Sequence, residues 1–166
     1  MTKEQYATIT EPFRSHPGRT SALQWTNRML AAIVFASYAL LLLGDLFTRN
    51  RSLAIHMIVP LDAFLIVSAA RFLINRPRPY ERFEMQPVVA KRTKGKSFPS
   101  RHVFSAFMIA MTFLLATDLL WVGVSLLVLC VLIGVIRVIS GVHYISDVIA
   151  GAVCGIVAGI VGFWLL

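Results

Sequence analysis

The sequence predicts an all-α integral membrane bundle with about five transmembrane helices and an N-terminal interfacial helix. Three observations carry that expectation. Of 166 residues, 57% are hydrophobic and only 14% charged, where a water-soluble domain has about a quarter charged. The apolar residues gather into five runs near the length of about 20 that a bilayer requires. No shift of composition and no Ser/Gly-rich linker divides the chain, so one bundle is expected, with residues 1–28 as an interfacial segment and residues 29–166 as the membrane-embedded domain.

Residues 1–28 are mixed and polar. Lys3, Glu4, Glu11 and Arg14 are followed by no short apolar run with a small-residue cleavage site, so no removable signal peptide is expected. Thr20 or Ser21 is a plausible helix cap ahead of Leu23 and Trp25. The expected spans are residues 29–47, 53–74, 103–117, 119–136 and 146–166. The third is short, though helix starting near Ser100 would lengthen it, and Thr117 and Asp118 punctuate a tight hairpin to the fourth. Residues 75–97 are rich in Pro and basic side chains and read as an irregular connection. With five spans, this connection and residues 137–145 fall on one side of the membrane. In the last span Gly151, Gly155 and Gly159 allow close helix approach. Packing inside the monomer is the expectation and a dimer seam the alternative.

The net charge is +8, but it is local. Nine of the 16 Lys and Arg lie from Arg71 to Arg101, four precede Met29 and none follows Arg137. A soluble basic domain would suggest nucleic acid. The long apolar runs, and the lack of aromatics interleaved with the basic cluster, argue against that partner and for a phosphate-bearing membrane lipid. Cys130 and Cys154 sit in apolar runs and read as small hydrophobes rather than disulfide or metal ligands. His16 and His56 have no matched partners and are expected to be surface or interface residues. Asp62, in mid-span after Pro60, reads as a polar contact at a kink or a protonated carboxyl.

Ionisable residues at the ends of spans are costly and tend to be functional. Arg71, Arg78, Arg101, His102, Arg137, His143 and Asp147 all fall at one membrane face. Guanidinium groups bind phosphate oxygens through paired, charge-assisted hydrogen bonds and keep their charge. A neutral imidazole can attack phosphorus while a second protonates the departing oxygen. His143 and Asp147, four residues apart, can share a helix face, so that the carboxylate accepts from one ring nitrogen and the other faces substrate. No metal or cofactor is expected, because Asp and Glu are sparse near these residues.

Three spaced motifs within residues 71–151 resemble the membrane-bound type 2 phosphatidic acid phosphatases, which share their site with vanadium haloperoxidases. Arg71, Arg78 and Pro79 fall on the first motif, with Arg71 in place of the usual Lys. Pro99, Ser100, Arg101 and His102 fall on the second, with Arg101 in place of the usual Gly. Arg137, His143 and Asp147 fall on the third. The resemblance implies His143 as nucleophile, Asp147 as its orienting partner and His102 as general acid. It also implies that Arg71, Arg78, Ser100 and Arg137 hold phosphate oxygens, while Arg101 is expected to contribute its backbone N–H. The expected activity is dephosphorylation of a lipid phosphate or lipid pyrophosphate through a phosphohistidine. Undecaprenyl pyrophosphate, phosphatidylglycerol phosphate, phosphatidic acid and a lipid A phosphate are the candidate substrates. Arg76, Arg82, Lys91, Arg92, Lys94 and Lys96 favour a pyrophosphate headgroup. A non-catalytic phospholipid-binding or transport protein is the competing class, and a haloperoxidase suits so apolar a chain poorly. The oligomeric state is left open. The resemblance implies an active site on the extracytoplasmic face, against the positive-inside rule, since 14 of the 16 Lys and Arg lie on the site side.

Overall fold

A computed structural model describes residues 1–89 and 93–165, so the expectation for Lys91 and Arg92 lies outside the described residues. The first helix, α1 (Lys3–Arg14), starts at a capping box: Gln5 N donates to Thr2 Oγ1 (3.4 Å) and Thr2 N to Gln5 Oε1 (2.9 Å). The second, α2 (Pro17–Thr48), opens at Pro17 after His16 and runs without a break through the expected boundary at residue 28. The cap expected at Thr20 or Ser21 is therefore corrected. Proline at the first helical position has no N–H to leave unpaired, and the Thr20 hydroxyl donates back to the Phe13 carbonyl, tying α2 to α1.

At 1.5 Å per residue, the 32 residues of α2 reach about 48 Å, well beyond the hydrocarbon core of about 30 Å. Its first turns therefore stand outside the apolar layer. The chain returns through α3 (Leu53–Ile74), crosses the short α4 (Pro79–Arg82), and continues as α5 (Arg101–Ala116), α6 (Leu120–Ile139) and α7 (Ile145–Leu165). Four of these helices, α2, α3, α6 and α7, are long and apolar enough to cross a membrane. They expose rows of large apolar side chains, among them Phe47, Leu73, Trp121 and Trp164. The protein is an all-helical, multi-pass membrane bundle.

The 16-residue α5 is the axis of this bundle. Ten of its residues, from Val103 to Phe113, are buried, so it meets other helices rather than lipid. Against it lies the glycine row of α7. A Cβ on Gly151 would sit 2.7 Å from Ser100 O, and one on Gly155 would sit 2.8 Å from Phe104 O. Gly151 and Gly155 thus pack against the backbone of α5 and Gly159 against the Met111 side chain, all inside the monomer as expected. Around it, Val34, Val103, Phe107, Phe113 and Cys130 fill the core. Both cysteines are free thiols.

His56 departs from expectation, because it has close partners at the end of the bundle away from the basic loop. Its Nδ1 lies 2.7 Å from Asp45 Oδ2, its Nε2 lies 3.0 Å from Ala116 O, and Tyr38 Oη donates to its carbonyl (2.7 Å). Asp45 comes from the last turn of the preceding helix, so no local spacing announced the pair. Asp62 lies in an outer groove between α3 and α7.

Candidate active site

At the end of the bundle where α3, α6 and α1 finish and α5 and α7 begin, three loops meet. Backbone hydrogen bonds join them: Ser97 N to Arg76 O (2.9 Å), Val88 N to Ser140 O (3.1 Å) and Ser100 N to Asp147 O (2.8 Å). The connection after the second span and the turn before the last helix are thereby on one side, as read from the number of spans.

His143 lies in that turn, two residues before α7, and is almost fully buried. Its Nδ1 faces Asp147 Oδ2 at a long 3.5 Å and Ser97 Oγ at 3.5 Å. The shorter contacts to Asp147 come from Ser97 Oγ to Oδ2, from Tyr144 N to Oδ2 (2.9 Å) and from Arg76 Nη1 to Oδ1 (2.8 Å). The carboxylate is thus gripped from three directions on the Nδ1 side of the imidazole. His143 Nε2 lies 3.3 Å from Arg78 Nη1. Burial pushes the His143 pKa down to about 4, and the positive charges of Arg78 and Arg137 add to this against the pull of Asp147. The ring is therefore neutral at ordinary pH, the form that can use a lone pair on phosphorus.

His143 and Arg78 open on a cavity of about 410 Å³ that is also lined by Arg71, Lys94, Gly95, Lys96, Arg101 and His102. Five cationic side chains converge there. Arg71 is buried and its guanidinium donates to the carbonyls of Pro99 and Lys96. Arg78 is fixed by Nε to Gly95 O (3.0 Å) and Nη1 to Val142 O (3.2 Å). Glu81 completes this frame by accepting from Arg78 N (2.7 Å) and Gly95 N (2.9 Å). Gly95 adopts φ +63°, a backbone conformation that favours glycine, and a Cβ there would displace the Asn75 side-chain amide.

Ser100 and Arg137 are buried beside the cavity rather than in its lining. Ser100 Oγ and Arg137 Nε have no hydrogen-bond partner among the described residues. Buried polar atoms are normally paired, so both are donors that an anion could satisfy. Arg101 reaches the cavity as well. Its side chain lines the cavity, with the guanidinium 5.5 Å from the centroid of the Phe64 ring. Among the described residues no three His, Cys, Asp or Glu gather as a metal site would need.

Several residues of this site were not singled out from the sequence. Arg76 was read as one of the basic-loop charges, yet it pairs with Asp147 and lies over the Tyr144 ring at 4.1 Å. Ser97 carried no signal beyond its nearness to the second motif. Tyr6 carried none at all. It is completely buried, donates from Oη to His143 O (3.1 Å), and meets the Tyr144 ring edge-on.

One end of the helical bundle thus closes over a cavity that joins His102 and His143 to a cluster of cationic side chains. The PAP2 superfamily model matches residues 50–166, and the chain belongs to that family. It is 32% identical over 124 residues to the bacitracin transport permease protein BcrC of Bacillus licheniformis. It is 29% identical over 102 residues to the lipid A 1-phosphatase of Porphyromonas gingivalis. The matches span 70% and 60% of this chain but 57% and 20% of those relatives. Among solved structures, LpxE of Aquifex aeolicus superposes with a TM-score of 0.74 at 24% identity, covering 97% of this chain and 93% of its own. The PAP2-type phosphatidylglycerolphosphate phosphatase of Bacillus subtilis gives 0.72 at 19%, covering 98% and 85%. At these identities the two structures share the fold.

Proposed function

We propose that this protein hydrolyses a lipid phosphate, with a lipid pyrophosphate such as undecaprenyl pyrophosphate as the favoured substrate. The observation that carries this reading is a buried His143 whose Nε2 lies beside Arg78 at a cavity lined by five cations. The terminal phosphoryl group enters the cavity, where Arg71, Arg78, Lys94, Lys96 and Arg101 neutralise its charge and the unpaired donors of Ser100 and Arg137 lie close by. The Nε2 lone pair attacks phosphorus and the bond to the leaving oxygen breaks. His102 supplies the proton that oxygen needs. Asp147, held by Ser97, Arg76 and Tyr144 N, stabilises the cationic phosphohistidine from the Nδ1 side. Water, deprotonated by His102, then attacks phosphorus and frees His143 and inorganic phosphate.

Five cations exceed what one phosphate monoester requires, which favours the pyrophosphate headgroup over phosphatidic acid or phosphatidylglycerol phosphate. We place the site on the extracytoplasmic face. Arg71, Arg76, Arg78, Lys94, Lys96, Arg101 and Arg137 are committed to the site and its carboxylate, so the positive-inside rule weighs them too heavily. Thiol labelling of Gln86→Cys and Asn50→Cys, at opposite ends of the bundle, tests that placement: an impermeant reagent should reach the first alone.

The Bacillus licheniformis relative is described as a transport permease, which makes lipid binding or transport without turnover the second reading. Phosphate release from purified protein on a panel of lipid phosphates decides between the two. Turnover that His143→Ala abolishes, that vanadate inhibits and that EDTA spares supports the proposal. No phosphate release from any lipid, or a strict need for added Mg²⁺, overturns it.

A further inference from the structure

We infer that Ser68 and Arg101 form a second phosphate subsite, which holds the lipid-side phosphate of a pyrophosphate while the terminal phosphate meets His143. The inference rests on the phosphatase reading above and names two residues that select between its substrate classes.

The cations of the cavity fall in two tiers. Arg71 and Arg78 are buried, and backbone carbonyls brace both guanidiniums: those of Pro99 and Lys96 for the first, those of Gly95 and Val142 for the second. Arg101 lines the same cavity but is exposed, and its guanidinium enters no hydrogen bond or ion pair among the described residues. It rests 5.5 Å from the centroid of the Phe64 ring instead. An aromatic face steadies a guanidinium without consuming its N–H donors, so all of them remain for an anion.

Ser68 supplies an independent observation. Hydroxyls within helices commonly donate to the carbonyl four residues earlier, and Thr10, Thr112, Thr117 and Ser125 all do so here. Ser68 leaves that bond unmade. Its Oγ is buried, lines the cationic cavity and has no hydrogen-bond partner among the described residues. Buried hydroxyls are normally paired, so this one lacks a partner that a ligand in the cavity would supply.

Ser68 and Arg71 are three residues apart and share a face of α3, about 4.5 Å apart along the axis. Two phosphates joined by one bridging oxygen are separated on that scale. Phe64 lies one turn beyond Ser68 on the same face, and Arg101 covers it, which sets the guanidinium on the side of Ser68 away from Arg71. When the bond from His143 Nε2 to the terminal phosphorus forms, the bond to the bridging oxygen breaks. That oxygen keeps the electron pair, and the lipid monophosphate departs with one more negative charge. Donors fixed at the place where charge develops favour that departure. A lipid monophosphate substrate releases an alcohol instead, and places no phosphate at Ser68 and Arg101.

The test compares the pyrophosphate and the monophosphate of one prenyl alcohol, hydrolysed by purified protein in detergent. Arg101→Ala should lower kcat/KM on the pyrophosphate by about 10- to 100-fold and on the monophosphate by less than about threefold, as loss of a charged hydrogen bond to one substrate alone predicts. Ser68→Ala should lower the pyrophosphate value by about three- to tenfold, with a melting temperature unchanged or raised, because the hydroxyl bonds nothing in the free protein. Lys94→Ala removes a cation from the loop side of the cavity and should lower both substrates in equal proportion. Methylenediphosphonate should inhibit wild type more strongly than inorganic phosphate, and Arg101→Ala should bring the two inhibition constants together. The subsite is overturned if Arg101→Ala and Ser68→Ala lower both substrates alike, or if Lys94→Ala shifts the ratio as far as Arg101→Ala does. Wild type that hydrolyses the monophosphate and not the pyrophosphate overturns the subsite and leaves the phosphatase reading standing, whereas no release from either refutes that reading as well.

Discussion

Replacing Gly155 by alanine adds one methyl group at the place where α5 and α7 touch. The new Cβ would lie 2.8 Å from Phe104 O, 2.8 Å from Phe107 Cβ and 3.1 Å from Met108 N, where ordinary contact begins at 3.4 Å. The shortfall is 3.4 − 2.8, about 0.6 Å. Two of the three neighbours are backbone atoms of α5, which cannot swing aside as a side chain can, so the helices must part. Overpacking of this kind costs about 1–3 kcal/mol. Alanine also gains about 1 kcal/mol over glycine within a helix, and Gly44→Ala isolates that gain, because its Cβ meets nothing within 4 Å. The difference between the two variants is therefore the clash alone. Buried Cys130 provides the readout: a thiol-reactive fluorophore labels it as the bundle opens during heating in detergent. Gly155→Ala should melt several degrees below Gly44→Ala, and Gly155→Leu lower still with activity lost alongside. A Gly155→Ala protein that melts level with or above Gly44→Ala would refute the close approach of α5 and α7.

Three further outcomes follow from the site. The Cε1–H resonance of His143, assigned by its absence in His143→Gln, should stay at its neutral position as pH falls from 7 to about 5, since burial holds the folded pKa near 4, below the ordinary 6.5. The unfolded chain takes up that proton first, so the contribution of His143 to stability is present above 6.5 and declines as pH falls toward 4; titration near 6.5 would refute the assignment. His102→Ala should slow hydrolysis of a lipid alkyl monophosphate by about 10²- to 10⁴-fold, and an aryl phosphate or pyrophosphate far less, whereas His143→Ala should reduce all three to background; equal losses for His102→Ala on every substrate would remove it as the general acid. Tyr6→Phe deletes the donor to His143 O, at a cost of about 1 kcal/mol, and should lower kcat roughly fivefold with KM held, while a change in KM alone would point to a role in substrate binding.

The spans and the three motifs were legible because their signals are local. A bilayer demands long apolar runs, and phosphate chemistry demands Arg and His at fixed spacing. Arg78, His102 and His143 accordingly line one cavity. The start of α2 was misplaced because a Thr cap is a common local signal, while the competing use of Thr20, its bond to Phe13 O, exists only once α1 folds back. His56 and Asp45 are 11 residues apart on two helices, and Tyr6 and His143 are 137 apart. Contacts of that kind leave no pattern in a single sequence. Arg76 was visible only as charge, since pairing with Asp147 rather than with substrate depends on the path of the loop.

The placement of the two histidines follows from the backbone more than from the side chains around them. His102 is the second residue of α5, and His143 lies two residues before α7. The separation of those helices is set by glycines whose missing side chains bring backbone against backbone, from Gly151 beside Ser100 O downward. Next to this contact, Ser100 N donates to Asp147 O (2.8 Å), so the start of α5 is joined directly to the residue whose carboxylate faces His143. A rotamer change in the core would leave this geometry in place, whereas a single methyl group on the glycine row would not. The irregular, highly charged loops can therefore vary in shape, because the distance between His143 and His102 is fixed beneath them.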